Sequence, residues 1–350
     1  MIEVSLDKLR KLLHVCCFEA WLDVFLLNNA YILKLRRNYR KFSKPILILT
    51  LPYIIVNWLI RTFYHNSIGK ARVAKILKRE RLINFNHEVV IVAIAKNEGL
   101  YLREWLEFHR MVGISKIYFY DNESSDNTEE IIKPYIEEGF VEYTYMPGIG
   151  KQLDAYNDAI RRHRNDCRYM AFIDLDEYIM PEIPYSNIGE CINKILSKKS
   201  NAVGIALNWC LYGNSGHDTR PKGLITENYI NRADETNPMN HMVKTVCNPR
   251  MVKDYISPHY PQYLLGAISM DSTGTKRSKG WFCRDLTFKN LRLNHYYCKS
   301  REDYIIKTSR GLGDRAGHYD LSKYDKMNFN DVHDESMLSY KTDLYKALLK

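Results

Sequence analysis

The chain has 350 residues, 45% hydrophobic and 26% charged, with a net charge of +10. That length can bury a sizeable core with room for an appendage, and that balance excludes a disordered or fibrous chain. The excess charge is local: residues 34–81 hold thirteen Lys/Arg against one acid, Glu80, which argues against nucleic acid as a partner and for an anionic membrane surface.

Residues 9–33 are strongly apolar with a helical pattern and lack the basic start and cleavage site of a secretory signal. The run PILILTLPYIIVNWLI, residues 45–60, carries no charge. It is shorter than the roughly 20 residues that a spanning helix needs. Pro52 and Asn57 interrupt it, and basic residues flank it on both sides. The pattern predicts an α-helical, basic, membrane-associating region over residues 1–87 that lies on the leaflet without crossing it. A buried core helix and a true anchor are the alternatives. Eight cysteines are scattered with no CxxC, so neither a zinc cluster nor a dithiol site is signalled.

From residue 88 the rhythm changes. Val89 to Ala95 reads as a buried strand, and LYLREWLEFHRMVG as a helix that Gly113 ends. Ile117 to Tyr120 is a second strand, TEEIIKPYIEEGF a helix, VEYTYMPG a short strand, and KQLDAYNDAIRRHR a helix. YMAFIDLDEY is the next strand. Alternation of this kind predicts an α/β fold: a doubly wound, mostly parallel sheet with helices on both faces. Ligands of such sheets sit outside the carboxyl ends of the strands. Three strand ends carry polar sets: Lys96-Asn97-Glu98, Asp121-Asn122-Glu123, and Asp174, Asp176 and Glu177.

The third set is the most informative. Tyr169 to Ile173 is apolar throughout, as in a strand buried on both faces, yet it runs straight into Asp-x-Asp. Buried carboxylates cost several kcal/mol or more unless something offsets them. A hard divalent cation, with substrate phosphates in its shell, would do so. No EF-hand loop, Walker A motif or GxGxxG is present.

The order of these segments, VAIAKNEGLYLREWLEFHRMVGISKIYFYDNESSDNT, KQLDAYNDAIRRHR and YMAFIDLDEYIMP, resembles a GT-A glycosyltransferase. It is most similar to glycosyltransferase family 92 and its bacterial family-2-like relatives. NWCLYGNSG, HMVKTVCNP, SPHY and LNHYYCKSREDYIIKTSRG continue the likeness, which covers about residues 88–312. The expected organisation is residues 1–87 at the membrane, a GT-A domain over 88–315 and a C-terminal tail or helix over 316–350.

The resemblance implies a nucleotide-sugar donor, a UDP-hexose foremost, and Mn2+ or Mg2+. It places Asn97 and Glu98 in the first nucleotide loop. Asp121 falls at the base or ribose, with Ser124 and Asp126 nearby. Asp174 and Asp176 match the metal motif, and His295 the histidine that joins the metal or diphosphate. Lys244 matches a lysine that could meet phosphate charge; read alone, it is an ordinary solvated lysine. An inverting transfer, which the resemblance also implies, needs a residue to take the acceptor's proton. Asp218 is the candidate base, with Glu227 and Asp271 competing.

The expected partners are a nucleotide-sugar, a surface-glycan or lipid-linked acceptor such as lipopolysaccharide, and an anionic membrane surface, with no nucleic acid. The expected location is the cytoplasmic face of a membrane, the alternative being a Golgi type II protein. Rival functions are a non-catalytic binding protein and a nucleotidyltransferase. An intact Asp-x-Asp argues against the first, and the lack of a basic Gly-rich phosphate loop against the second.

Overall fold

A computed structural model describes residues 56, 59–60, 62–277, 280–311, 317 and 320–349. The expected helix over 9–33 and nearly all of the apolar run at 45–60 lie outside these residues. Among the described residues, no helix is long and apolar enough to cross a membrane.

The chain builds a mixed α/β fold around one curled sheet. Four parallel strands form one half: β1 (His87–Ala95), β2 (Lys116–Asp121), β3 (Val141–Tyr145) and β4 (Cys167–Phe172), in the order β3-β2-β1-β4. The sheet continues through β8 (Val243–Cys247), β6 (Ala202–Leu211), β12 (Leu291–His295) and β5 (Glu177–Pro181), with β11 (Ile268–Met270) also on β6. β8 runs antiparallel to both β4 and β6, so β6 points the same way as β4. β12 is parallel to β6 and antiparallel to β5.

Alternate residues of β1 enter different cores, as the period of two requires. Val89, Ile91 and Ala93 pack with Trp105 and Leu106 of α2 (Gly99–Met111), Ile132 of α3 (Thr128–Glu137) and Ile192 of α5 (Ile188–Leu196). Val90 and Val92 pack with Val73 of α1 (Lys70–Glu80) and with Tyr156 and Ala159 of α4 (Gln152–His163). Both faces are therefore covered by helices, as expected. α2 ends at Gly113, whose φ of +97° is open to glycine at little cost; a Cβ there would sit 2.4 Å from the Asn187 amide.

α1 is tied to the sheet through Glu80, which accepts from Asn248 Nδ2 at 2.6 Å and Arg250 Nε at 2.8 Å. The C-terminal segment packs on the core too. Tyr340 and Leu344 are fully buried, and Asp334 pairs with Arg232 at 2.8 Å and Arg292 at 3.0 Å.

Strand direction sets the site. The carboxyl ends of β1, β2, β4, β6 and β12 and the amino ends of β5 and β8 all meet one edge of the sheet. Ala95 is level with Asp121, Phe172 with Thr245, and His295 with both Leu211 and Glu177.

Candidate active site

That edge holds a cavity of about 340 Å³, lined among others by Glu98, Asp174, Asp176, Lys244, His295 and Lys307. Its first wall is the β1 and β2 loops. Asn97 sits at φ +54°, in the left-handed region that asparagine tolerates. Its Oδ1 accepts from the Ser125 amide at 2.7 Å, and its own amide donates to Ser124 Oγ at 2.9 Å. Asp126 accepts from the Gly99 amide at 2.9 Å. Asp121 is buried and accepts from the Ser124 amide at 3.2 Å and the Tyr143 hydroxyl at 3.0 Å. These residues stitch the two loops together. Asn122 lines the cavity and donates to the carbonyls of Met146 and Gly148, both at 2.8 Å.

The second wall is Asp-x-Asp. Asp174 accepts from Gln152 Nε2 at 2.8 Å and pairs with Lys244 Nζ at 2.8 Å. Lys244 lies on β8, the strand wedged against β4, and is 1% exposed rather than solvated. Asp176 is buried, with Lys307 Nζ at 2.7 Å from one oxygen and His295 Nε2 at 3.5 Å from the other. Burial alone would raise the Asp176 carboxyl, but the Lys307 ammonium and then His295 hold it well below the usual range. Burial lowers His295 from its ordinary value, and Asp176 acts in the opposite sense.

Glu177 opens β5 and is fully buried. Burial raises it well above a normal carboxyl. Lys244 stands closer to Asp174 than to Glu177, which is 3.7 Å away, and so offsets that burial only in part. Glu177 Oε2 accepts from the Asp174 amide at 2.9 Å. Its Oε1 lies 4.0 Å from His295 Nδ1, and both atoms are buried without a hydrogen-bond partner among the described residues.

The third wall comes from late in the chain. α7, which spans Arg301–Ser309 (numbering the short helix Ile225–Asn228 as α6), presents Lys307, and Arg310 follows it. Arg310 pairs with Glu98 and donates to the carbonyls of Lys96 at 3.3 Å and Asn97 at 3.2 Å.

Of the sequence-derived candidates, Glu98, Asp174, Asp176, Lys244 and His295 line the cavity together. Asn97 and Asp121 support its loops. Asp218 is exposed on the loop after β6 and lies outside the lining, its carbonyl accepting from the Glu302 amide of α7 at 3.0 Å. Glu227 is held by Lys341 at 2.8 Å and Tyr345 at 2.6 Å, and Asp271 by Thr273 and Thr275. Sequence reasoning assigned nothing to Gln152, Trp209, His259, Lys307 or Arg310, which also line the cavity. Lys307 and Arg310 stand three apart at a helix end, the one local signal that they share a side.

The three predicted metal ligands are brought together only in part. Among the described residues, no three His, Cys, Asp or Glu side chains converge on one point. Asp174 is turned to Lys244 and Gln152. Asp176 and His295 do fit: their facing atoms, a carboxylate oxygen and an imidazole nitrogen, are 3.5 Å apart, and both are donor types that a divalent ion takes.

The sequence matches Glycosyltransferase family 92 over residues 92–283, more than half of the chain. A family 92 protein of Arabidopsis thaliana is 28% identical over 184 residues, which cover 51% of this chain and 31% of that protein. One of Ricinus communis is 26% identical over 148 residues, 42% of this chain and 26% of that protein. The chain thus spans about a third or less of these curated relatives. Among solved structures, S. aureus TarS 1-349 in complex with UDP overlaps 47% of each chain at 14% identity and a TM-score of 0.32. Glucosyl-3-phosphoglycerate synthase from Mycobacterium tuberculosis, in complex with Mn2+, UDP and glucosyl-3-phosphoglycerate, overlaps 35% of this chain and 44% of that one at 13% identity and a TM-score of 0.25.

Proposed function

The chain belongs to glycosyltransferase family 92, and from that premise we propose that it moves a hexose from a UDP-sugar to an acceptor hydroxyl, with inversion, on a GT-A domain. The observation that carries this reading is the meeting of two lysine–aspartate pairs and the Asp176–His295 pair in one cavity. A departing nucleoside diphosphate needs its charge offset. Lys244, Lys307 and Arg310 are cations already fixed at the sheet edge, so they need little reorganisation as that charge develops. Glu98 keeps Arg310 on the first loop, and Asn97 and Asp121 keep that loop in shape. Asp176 and His295 would hold Mn2+ or Mg2+, with diphosphate oxygens and water completing the shell. When bound, the metal supplies Lewis-acid neutralisation of the leaving group.

The experiment is a panel of nucleotide-sugars scored by released nucleoside diphosphate with Mn2+ present. UDP release from a UDP-hexose, stopped by excess chelator, is the expected result. Release that persists in chelator sinks the metal assignment, and release of no nucleotide sinks the reading.

The acceptor in this proposal is a surface-glycan or lipid-linked saccharide reached at the cytoplasmic face of a membrane. The basic block at 34–81 and the exposed side chains of Leu59, Ile60, Phe63 and Ile68 support it. Salt screens the basic contribution but leaves inserted apolar groups in place. High salt should therefore release the protein from membranes only partly, and detergent fully. Tags at residues 1 and 350 that report opposite sides of the membrane would show that the chain crosses it.

A further inference from the structure

We propose that His259 is the proton acceptor for the incoming hydroxyl, an inference that rests on the glycosyl-transfer reading above. Five groups that line the cavity could accept a proton: Glu98, Asp174, Asp176, His259 and His295. The three carboxylates are each in an ion pair, with Arg310, Lys244 and Lys307 respectively. His295 turns Nε2 to Asp176. His259 is different. It sits in the turn between β9 (Val252–Ser257) and β10 (Tyr260–Tyr263), partly open to the cavity. Its Nδ1 lies 2.9 Å from the Val243 carbonyl, which can only accept, so Nδ1 carries the hydrogen. That contact fixes the tautomer and leaves Nε2 as a bare lone pair with no hydrogen-bond partner among the described residues.

The ring is held in place. Trp209 stands edge-on at 5.6 Å, and the His259 carbonyl accepts from Thr245 Oγ1 at 2.8 Å. The charged and titratable groups that act on it are Lys244 on β8, Asp174 after β4 and His295 on β12. Burial first, then Lys244, lowers the imidazole to about 4, so its Nε2 lone pair is free at neutral pH, with a basicity near that of a carboxylate.

The step balances without a further reactant. The acceptor oxygen forms a bond to the anomeric carbon as the bond from that carbon to the diphosphate oxygen breaks. The bonding pair leaves with the diphosphate. The hydroxyl proton passes to Nε2, and Asp174 favours the imidazolium formed. Attack from the side opposite the leaving group inverts the anomeric centre.

The test compares wild type, His259→Gln and His259→Ala. Two readouts are UDP affinity by calorimetry and the rate of UDP release from UDP-hexoses, with water as acceptor. Glutamine can still donate to the Val243 carbonyl and keep the wall, but it is no base. Both variants should bind UDP within about threefold of wild type and lose 10²-fold or more in release. The wild-type sugar product, followed by NMR, should be inverted. Glutamine restoring release to within threefold of wild type overturns the proposal, because that marks a structural role. A retained anomer also overturns it, as does a wild type that binds UDP but releases none from UDP-hexoses. A wild type that binds no UDP overturns the donor reading itself, and this inference falls with it.

Discussion

Asp176→Ala is expected to abolish sugar transfer and also to lower the free energy of unfolding by about 3–5 kcal/mol, the usual cost of removing one partner from a buried pair. The Lys307 ammonium is 7% exposed and 2.7 Å from the carboxylate it would lose. Placement at the end of an apolar strand does not reveal this second cost, since it comes from a lysine 131 residues away. The double variant Asp176→Leu/Lys307→Met removes both charges. It should recover most of the stability and none of the transfer. The carboxyl is held well below its ordinary pKa in the fold. Its stabilising contribution is therefore complete above the unfolded-state pKa and is lost as pH falls toward the folded one. Denaturant unfolding and UDP release, measured on the same preparations, separate the two effects. An Asp176→Ala protein as stable as wild type would show that the Lys307 pair does not support the fold.

The alternation of apolar strands and amphipathic helices over residues 88–176 was legible because each element there buries a face that its own sequence writes out. β1 is apolar on alternate sides, and the structure gives each side its own core. Asp174 and Asp176 were legible for a related reason, as acids ending a strand that otherwise has none. The second half of the site was not. Lys244 reads locally as a solvated lysine, and its burial follows from β8 entering the sheet antiparallel between β4 and β6. Nothing near residue 244 encodes that neighbour. Glu177 looked like a third member of the acidic turn, but it begins β5, and backbone pairing with β12 takes it into the core. His259 and Lys307 reach the cavity from a hairpin turn and a late helix, a matter of long-range packing. Asp218 shows the opposite case. It is the candidate base of the sequence reading, yet its loop folds against the start of α7.

His109 should impose a one-proton slope on stability in acid. It lies on α2 with no exposed surface, among the rings of Trp105, Phe108 and Tyr178. Nδ1 is 2.9 Å from the Trp105 carbonyl and so donates, while Nε2 accepts from the Ile179 amide at 3.3 Å. A second proton would turn Nε2 from acceptor to donor against that amide and bury a charge in an apolar core. Burial accordingly lowers the group from 6.5 to about 3. Between these values the unfolded chain binds the proton and the folded one does not, so stability falls as pH falls. The slope is roughly 1.4 kcal/mol per pH unit. Over the whole window this one site removes on the order of 5 kcal/mol, comparable to the net stability of many domains. The loss should reach the active site, because Ile179 lies on β5, whose first residue, Glu177, receives the Trp105 indole hydrogen at 2.8 Å on its carbonyl. In His109→Gln the amide can still donate to one partner and accept from the other, without titrating. Chemical unfolding at pH 6 and pH 4 should show wild type losing about 3 kcal/mol more than His109→Gln over that interval. Parallel losses in the two proteins would mean that His109 does not govern the acid limb.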